Sequence, residues 1–207
     1  IRNFETRDLL SGDEKIVERI NGLSFEISLD SFFQTNPKSA ERLYGLVVES
    51  VKNNIEEDSS LILDLFCGTG TIGQIIKAAV PQVKIIGVEI VPEAIEDAKK
   101  NAERNNIEGI EFFADDVGKF LKAFPEHRGN IDVVVLDPPR AGIAPKTLKK
   151  VIELQSKTIV YVSCNPATMA RDTETLLEAG YSLETISCVD QFPHTSHVEC
   201  VGVYKSR

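Results

Sequence analysis

The chain lacks any apolar run approaching the roughly 18 residues of a membrane-spanning helix, so no function that needs such a helix is expected. Its opening, IRNFETRDLL, has no basic cluster and no apolar stretch, and does not resemble a secretory signal. Without Met, that opening reads as the interior of a longer protein, with further domains expected upstream. Positive charge is also short: 23 Lys and Arg stand against 32 Asp and Glu, giving a net charge of −9. Nucleic-acid binders are usually basic overall. Grip on RNA or DNA is therefore expected from a separate domain or from a local basic patch. The four cysteines, Cys67, Cys164, Cys188 and Cys200, include no C-x-x-C pair, and no His stands at zinc-ligand spacing from them. Disulfides are not expected in a chain of this kind, which reads as intracellular. Each cysteine is then either a buried apolar residue or a nucleophile. Internal repeats and low-complexity segments are absent as well.

What is present suits one main globular domain: 207 residues, 42% of them hydrophobic. Residues 15–29 read as two short strands about Asn21-Gly22, a hairpin turn signal. Asn36-Pro37 opens a helix with Pro in its first turn, and Leu43, Leu46, Val47 and Val51 keep helical spacing. From residue 60, strands are expected at 61–66, 84–90, 110–113, 131–139 and 157–164. Helices alternate with them at 71–79, 92–105, 117–124, 145–155 and 166–180, and two strands, 181–189 and 197–205, close the chain. Repeated βα units imply an α/β fold: a mostly parallel sheet with helices on both faces and ligands beyond the carboxyl ends of the strands. The chemically unusual segments CGTG, VE, ADD, DPPR and SCNP all fall at those ends.

Gly68-Thr69-Gly70-Thr71-Ile72-Gly73 fits the G-x-G-x-x-G pattern, with Gly68 and Gly70 letting the backbone turn and approach a ligand. Glu89 ends the next strand, where an acid accepts hydrogen bonds from ribose hydroxyls. NAD and S-adenosylmethionine both satisfy these features. Asp64 favours the second, because its charge would repel a pyrophosphate but attract a methionine ammonium. Asp115-Asp116 is either a helix cap or a partner for an adenine amino group, with Asp116 preferred. The prolines of Asp137-Pro138-Pro139-Arg140 make a rigid corner that aims Asp137 over the crevice. Cys164 in SCNP precedes a Pro-started helix whose partial positive charge favours thiolate, which makes it the candidate nucleophile. Cys67 is expected to pack behind the cofactor, and Cys200 to stay inert. Glu199 is an acid at the start of an apolar strand, a costly position without a function or a partner. His194 and His197 are as readily structural as functional.

Taken together and in this order, FFQTNP, DLFCGTGTIG, VE, DPPRAG, SCNP and PHTSHVECV closely resemble the RNA uracil-C5-methyltransferase family, which makes 5-methyluridine in tRNA or ribosomal RNA. The resemblance spans about residues 30–207. It implies a Rossmann-like class I S-adenosylmethionine-dependent methyltransferase fold with a seven-stranded, mostly parallel sheet. That domain would occupy residues 31–207, after a β segment, 1–30, belonging to a linker or central domain. It further implies a nucleophile at Cys164, a proton-abstracting base at Glu199, and cofactor contacts at Gln34, Phe66, Thr71, Glu89, Asp116 and Asp137. At Thr71 the family often has Asn. Arg140, Asn165 and His197 complete the set as candidate substrate contacts. Lys146, Lys149 and Lys150 are open to phosphate binding or to a solvated helix face. Family members usually carry an N-terminal β-barrel RNA-binding domain, and many an iron–sulfur cluster held by four cysteines. This chain carries neither, and no metal is expected within it. The expected setting is a cytoplasmic monomer acting on RNA.

These residue types suit the chemistry. Uracil C5 is a poor nucleophile until a thiolate adds at C6. After methyl transfer a base must remove the C5 proton so that the thiolate can leave. Rival readings remain at this stage. An amino-group methyltransferase usually has an aromatic residue where Arg140 stands. An RNA cytosine-C5 enzyme usually has a second cysteine within 137–140. A NAD-dependent oxidoreductase does not explain Asp64 or the thiol–acid pair, and a cofactor-binding fragment without activity is the last alternative.

Overall fold

The computed structural model describes residues 15–28, 33–55 and 60–207. Residues 1–14 of the expected N-terminal β segment, its boundary at 30–31, and Phe32 of FFQTNP lie outside the described residues. The elements are β1 (Lys15–Ile20), β2 (Leu23–Ser28), α1 (Pro37–Lys52), β3 (Leu61–Leu65), α2 (Thr71–Ala79), β4 (Lys84–Glu89), α3 (Pro92–Arg104), β5 (Ile110–Ala114), α4 (Val117–Ala123), β6 (Val133–Leu136), α5 (Pro145–Glu153), β7 (Thr158–Ser163), α6 (Pro166–Glu178), β8 (Tyr181–Val189) and β9 (Glu199–Ser206). Asn21 and Gly22, with φ of 51° and 80°, make the turn between β1 and β2. Two positive φ values match the twist of a tight hairpin. This hairpin is a sheet of its own. Its β2 edge is met by side chains: Asn101 and Asn105, one turn apart on α3, each exchange two amide–backbone hydrogen bonds with Glu26 (2.7 and 3.0 Å) and Ser24 (2.8 and 3.0 Å).

The main sheet has seven strands in the order β5-β4-β3-β6-β7-β9-β8. Only β9 runs against its neighbours, pairing antiparallel with both β7 and β8. The mostly parallel α/β class expected from the sequence is therefore present. Successive residues of each buried strand serve two different cores, because strand side chains alternate faces. Leu63, Leu65, Val134, Leu136, Ile159 and Tyr161 pack with Phe120, Leu148, Val151 and Met169 from α4, α5 and α6. Ile62, Val133, Val135, Val160 and Val162 pack with Leu43 and Val47 of α1 and Ile72, Ile75 and Ile76 of α2. Each such side chain contributes about 1.5–3 kcal/mol of transfer free energy. The expected strand 131–139 stops at Leu136, where the prolines can no longer pair, although Asp137 N–H still reaches the Leu65 carbonyl at 3.3 Å. From β3 the chain proceeds to β4 on one side, whereas β6 lies on the other. This reversal opens a crevice beyond the carboxyl ends of β3 and β6, the usual ligand position in such sheets.

Candidate active site

A cavity of about 660 Å³ fills that crevice. The loop after β3 forms its floor. Phe66 takes φ 64°, Gly68 53° and Gly70 69°. The Gly70 N–H closes the turn on the Cys67 carbonyl at 2.8 Å. A Cβ on Gly70 would lie 2.6 Å from the Phe112 ring, so position 70 is closed to side chains by both φ and packing. Phe66, Gly68 and Thr71 line the cavity, whereas Gly70 shapes the loop from beneath. Cys67 touches the cavity but packs with Ile95, Ala98, Ala102 and Phe112. Burial, with Asp64 and Glu89 nearby, pushes its thiol well up, so it is no nucleophile near neutral pH. Glu89 is held in place: its two oxygens accept the Gly68 N–H (3.2 Å) and the Val91 N–H (3.0 Å). Asp116 lines the cavity and also caps α4, accepting the Lys119 N–H at 2.9 Å. The helix-cap reading is thus seen directly, and the residue also reaches the cavity.

Asp64 does not line the cavity. It is fully buried on the same face of β3 as Ile62, under the first turn of α2. One carboxylate oxygen accepts the Gly73 N–H at 2.9 Å, and the other has no hydrogen-bond partner among the described residues. Burial raises its pKa to about 7, opposed by the Gly73 N–H and reinforced by Glu89. Across the cavity, Asp137, Cys164 and Glu199 converge from the ends of β6, β7 and β9. Burial, then Glu199, then Asp64 push Asp137 up to about 8. Glu199 is 3% exposed, and burial raises it too. Cys164 is half-buried immediately before α6. Here other groups oppose the helix terminus. Burial, Glu199 and Asp137 raise the thiol pKa, and Arg140 only partly offsets them. The helix terminus does not outweigh two carboxylates in a poorly solvated corner.

The candidate substrate contacts sit at the mouth. Arg140 lines the cavity, and its Nη1 lies 3.2 Å from Nδ1 of the exposed His197. Asn165 does not line it. Asn165 caps α6, accepting the Ala167 N–H at 3.2 Å, and donates to the Arg140 carbonyl at 3.1 Å. It thereby ties the Cys164 turn to the DPPR corner. Gln34, 6% exposed, lines the cavity and keeps a side-chain oxygen without a partner among the described residues. Sequence reasoning missed Tyr44, which lines the cavity from α1. Its phenol is driven well above the usual range by burial and by Asp137, Glu199 and Asp64. It also missed that Cys188 and Cys200 face each other across β8 and β9, their sulfurs 3.5 Å apart. Cys200 is buried as expected, with its thiol pushed up to about 12. No helix among the described residues is long and apolar enough to cross a membrane.

Known proteins similar to this chain share its family and fold. The family model for tRNA (uracil-5-)-methyltransferases matches residues 7–207. An uncharacterized RNA methyltransferase of Clostridium tetani is 46% identical over 194 residues, covering 94% of this chain and 41% of that protein. One from Fusobacterium nucleatum is 44% identical over 203 residues, covering 98% and 43%. Among solved structures, the Pyrococcus abyssi tRNA (uracil-54, C5)-methyltransferase in complex with S-adenosyl-L-homocysteine is similar at a TM-score of 0.79 and 34% identity, covering 98% of this chain and 49% of that one. A methyltransferase from Agrobacterium tumefaciens, at 18% identity and a TM-score of 0.71, shares the fold. The chain spans about two fifths of the length of the curated relatives it matches.

Proposed function

The chain belongs to the tRNA (uracil-5-)-methyltransferase family, and from that premise we propose that it is the catalytic part of an S-adenosylmethionine-dependent enzyme that methylates C5 of a uridine in tRNA or ribosomal RNA. The observation that carries this reading is that Cys164, Asp137 and Glu199, close enough to act on one another electrostatically, line the same cavity as Gly68, Thr69, Thr71, Glu89 and Asp116. The residues fit the cofactor. The cavity has nucleoside-plus-amino-acid size, Glu89 lies at the ribose position of such folds, Gln34 offers an amide oxygen without a partner among the described residues, and the acid-rich wall suits a cation. When bound, S-adenosylmethionine supplies an electrophilic methyl group on a positively charged sulfur.

The chain's own residues supply the rest. Cys164, as thiolate, adds to C6 of the uracil, and the electron pair moves onto C5 and O4. C5 then becomes nucleophilic enough to take the methyl group. Glu199, ionised, removes the C5 proton, and the C6–S bond breaks to restore the ring and release the thiolate. Asp137, between these groups and the cofactor side, holds the pyrimidine edge or the cofactor. Arg140 at the mouth supports the thiolate electrostatically and meets the RNA backbone. The uridine has to leave its stack to enter the cavity.

The test uses full-length protein, S-adenosylmethionine and RNA containing 5-fluorouridine, which has no removable proton at C5. A covalent protein–RNA adduct that survives denaturation is expected, and it should vanish in Cys164→Ala. Methyl transfer that persists in Cys164→Ala, with no adduct in wild type, overturns the mechanism.

A further inference from the structure

Two loops from distant parts of the chain meet beside the cavity. One carries Phe33 and Gln34 into α1, and the other, 190–198, runs from β8 to Glu199. Asn36 joins them. Its Oδ1 caps α1, accepting the Ser39 N–H at 3.3 Å. Its Nδ2 donates to the Gln191 carbonyl at 3.2 Å, and its own carbonyl accepts from Gln191 Nε2 at 3.2 Å. One turn into the helix, Ser39 Oγ donates to the Asp190 carbonyl at 3.2 Å. Gln191 is fully buried although its Oε1 has no partner among the described residues. A buried amide is costly to leave unpaired, and the Gln191 nitrogen and carbonyl both find their partner across the junction in Asn36.

An N-cap needs only an acceptor, and Ser or Asp would serve as well as Asn. The amide nitrogen of Asn36 is surplus to capping, and it is the atom that crosses to the other loop. We propose that Asn36 is a positioning residue: its Nδ2 bond to Gln191 holds the segment that delivers Glu199 in register with the loop that delivers Gln34. Proton removal from C5 is thereby aligned with the cofactor side of the cavity. This rests on the reading of Glu199 as the base.

Asn36→Asp and Asn36→Ser separate the two roles, since both keep a capping acceptor and lose the amide N–H that reaches Gln191, the shorter Ser hydroxyl being taken up at the cap. Full-length variants are assayed with S-adenosylmethionine and RNA containing ordinary uridine. Turnover is expected to fall on the order of tenfold to a hundredfold, the usual consequence of a small misplacement of a reacting group. Because the slowed step is the removal of the C5 proton, a covalent adduct should accumulate with ordinary uridine, and 5-deuterouridine should give a larger isotope effect than in wild type. The melting temperature should hold, and Cys164→Ala in the same background should abolish the adduct. Wild-type turnover in both variants overturns the proposal. So does slower turnover without adduct or isotope effect, which would mark a structural role. The 5-fluorouridine adduct in wild type is the control: if it is missing, the reading of the reaction itself has failed.

Discussion

Asp137 gives a thermodynamic test of the cavity's electrostatics that needs no RNA. Its carboxyl is held at about 8 by burial, by Glu199 and by Asp64, and Asp64 itself sits at about 7. At pH 7 Asp137 is therefore about nine-tenths protonated in the free protein, from the definition of the pKa. A unit positive charge brought within about 5 Å, at an effective dielectric constant near 20, favours the ionised carboxylate by about 3 kcal/mol. That equals about two pKa units, enough to bring Asp137 below 7 and expel its proton. Binding of S-adenosylmethionine at pH 7 should therefore release about one proton. The sign follows: affinity rises with pH while Asp137 still holds a proton in the free protein, then levels off above about pH 8. Calorimetric titration in phosphate and in Tris at equal ionic strength reads the proton number from the difference in enthalpy. S-Adenosylhomocysteine, which lacks the sulfonium charge, should release fewer protons, and Asp137→Asn should remove most of the effect. Tight binding with equal enthalpies in both buffers at pH 7 would refute the reasoning.

The cysteines and the glycine loop yield further expectations. Cys188 is the exposed thiol and should be alkylated by iodoacetamide first, with Cys67 and Cys200 last. Cys164 should react slowly at pH 7 and much faster at pH 9, and Arg140→Ala should slow it further, since Arg140 is the cation that lowers its pKa; mass mapping of the labelled peptides checks the order, and a fast Cys164 in the free protein would contradict the raised pKa. Gly70→Ala forces a side chain onto φ 69° and against Phe112. A cost of about 1–3 kcal/mol is expected from the φ alone, read as a lowered denaturation midpoint together with lost S-adenosylmethionine affinity in the folded fraction.

Much of this was legible because it is local. The β-branched runs at 133–136 and 158–163, the prolines at positions 37, 92, 145 and 166, and the Asn21-Gly22 turn each specify their own element. The rim residues followed from chain order, since a parallel sheet places every strand's carboxyl end on one edge. Tyr44 stayed hidden because it sits in the apolar stripe of α1 between Leu43 and Val47, where a buried aromatic residue and a cavity wall look alike. From the sequence, Asp64 reads as a partner for the methionine ammonium, but it is buried outside the cavity. That it points under α2 follows from sharing the face of Ile62, which periodicity alone does not connect to a neighbouring helix. The thiol of Cys164 is raised first by burial and then by Glu199, brought near it by the pairing of Ser163 with Cys200, and neither is written in the local sequence.

On its other side β9 meets a feature no local pattern announces. At the start of β8, Leu183 pairs with Tyr204, but after an irregularity Thr185 pairs with Val203. The ladder has slipped by one residue at a bulge. Had the first register continued, Cys188 would lie opposite Glu199. With the bulge, Cys188 faces Cys200 and Val189 faces Glu199. Residues opposite one another in an antiparallel pair share a face, and a slip of one exchanges the faces. The bulge therefore decides that Val189 shares the face of Glu199 while Cys188 shares the other with Cys200, of which only Cys200 is packed with Tyr161, Met169 and Tyr204. Bulges recur beside active sites because they re-aim one side chain without rebuilding a sheet. Here β9 keeps one unbroken register on β7, which sets the direction of Glu199, and the extra residue at Leu183–Thr185 sets which β8 side chain stands beside it.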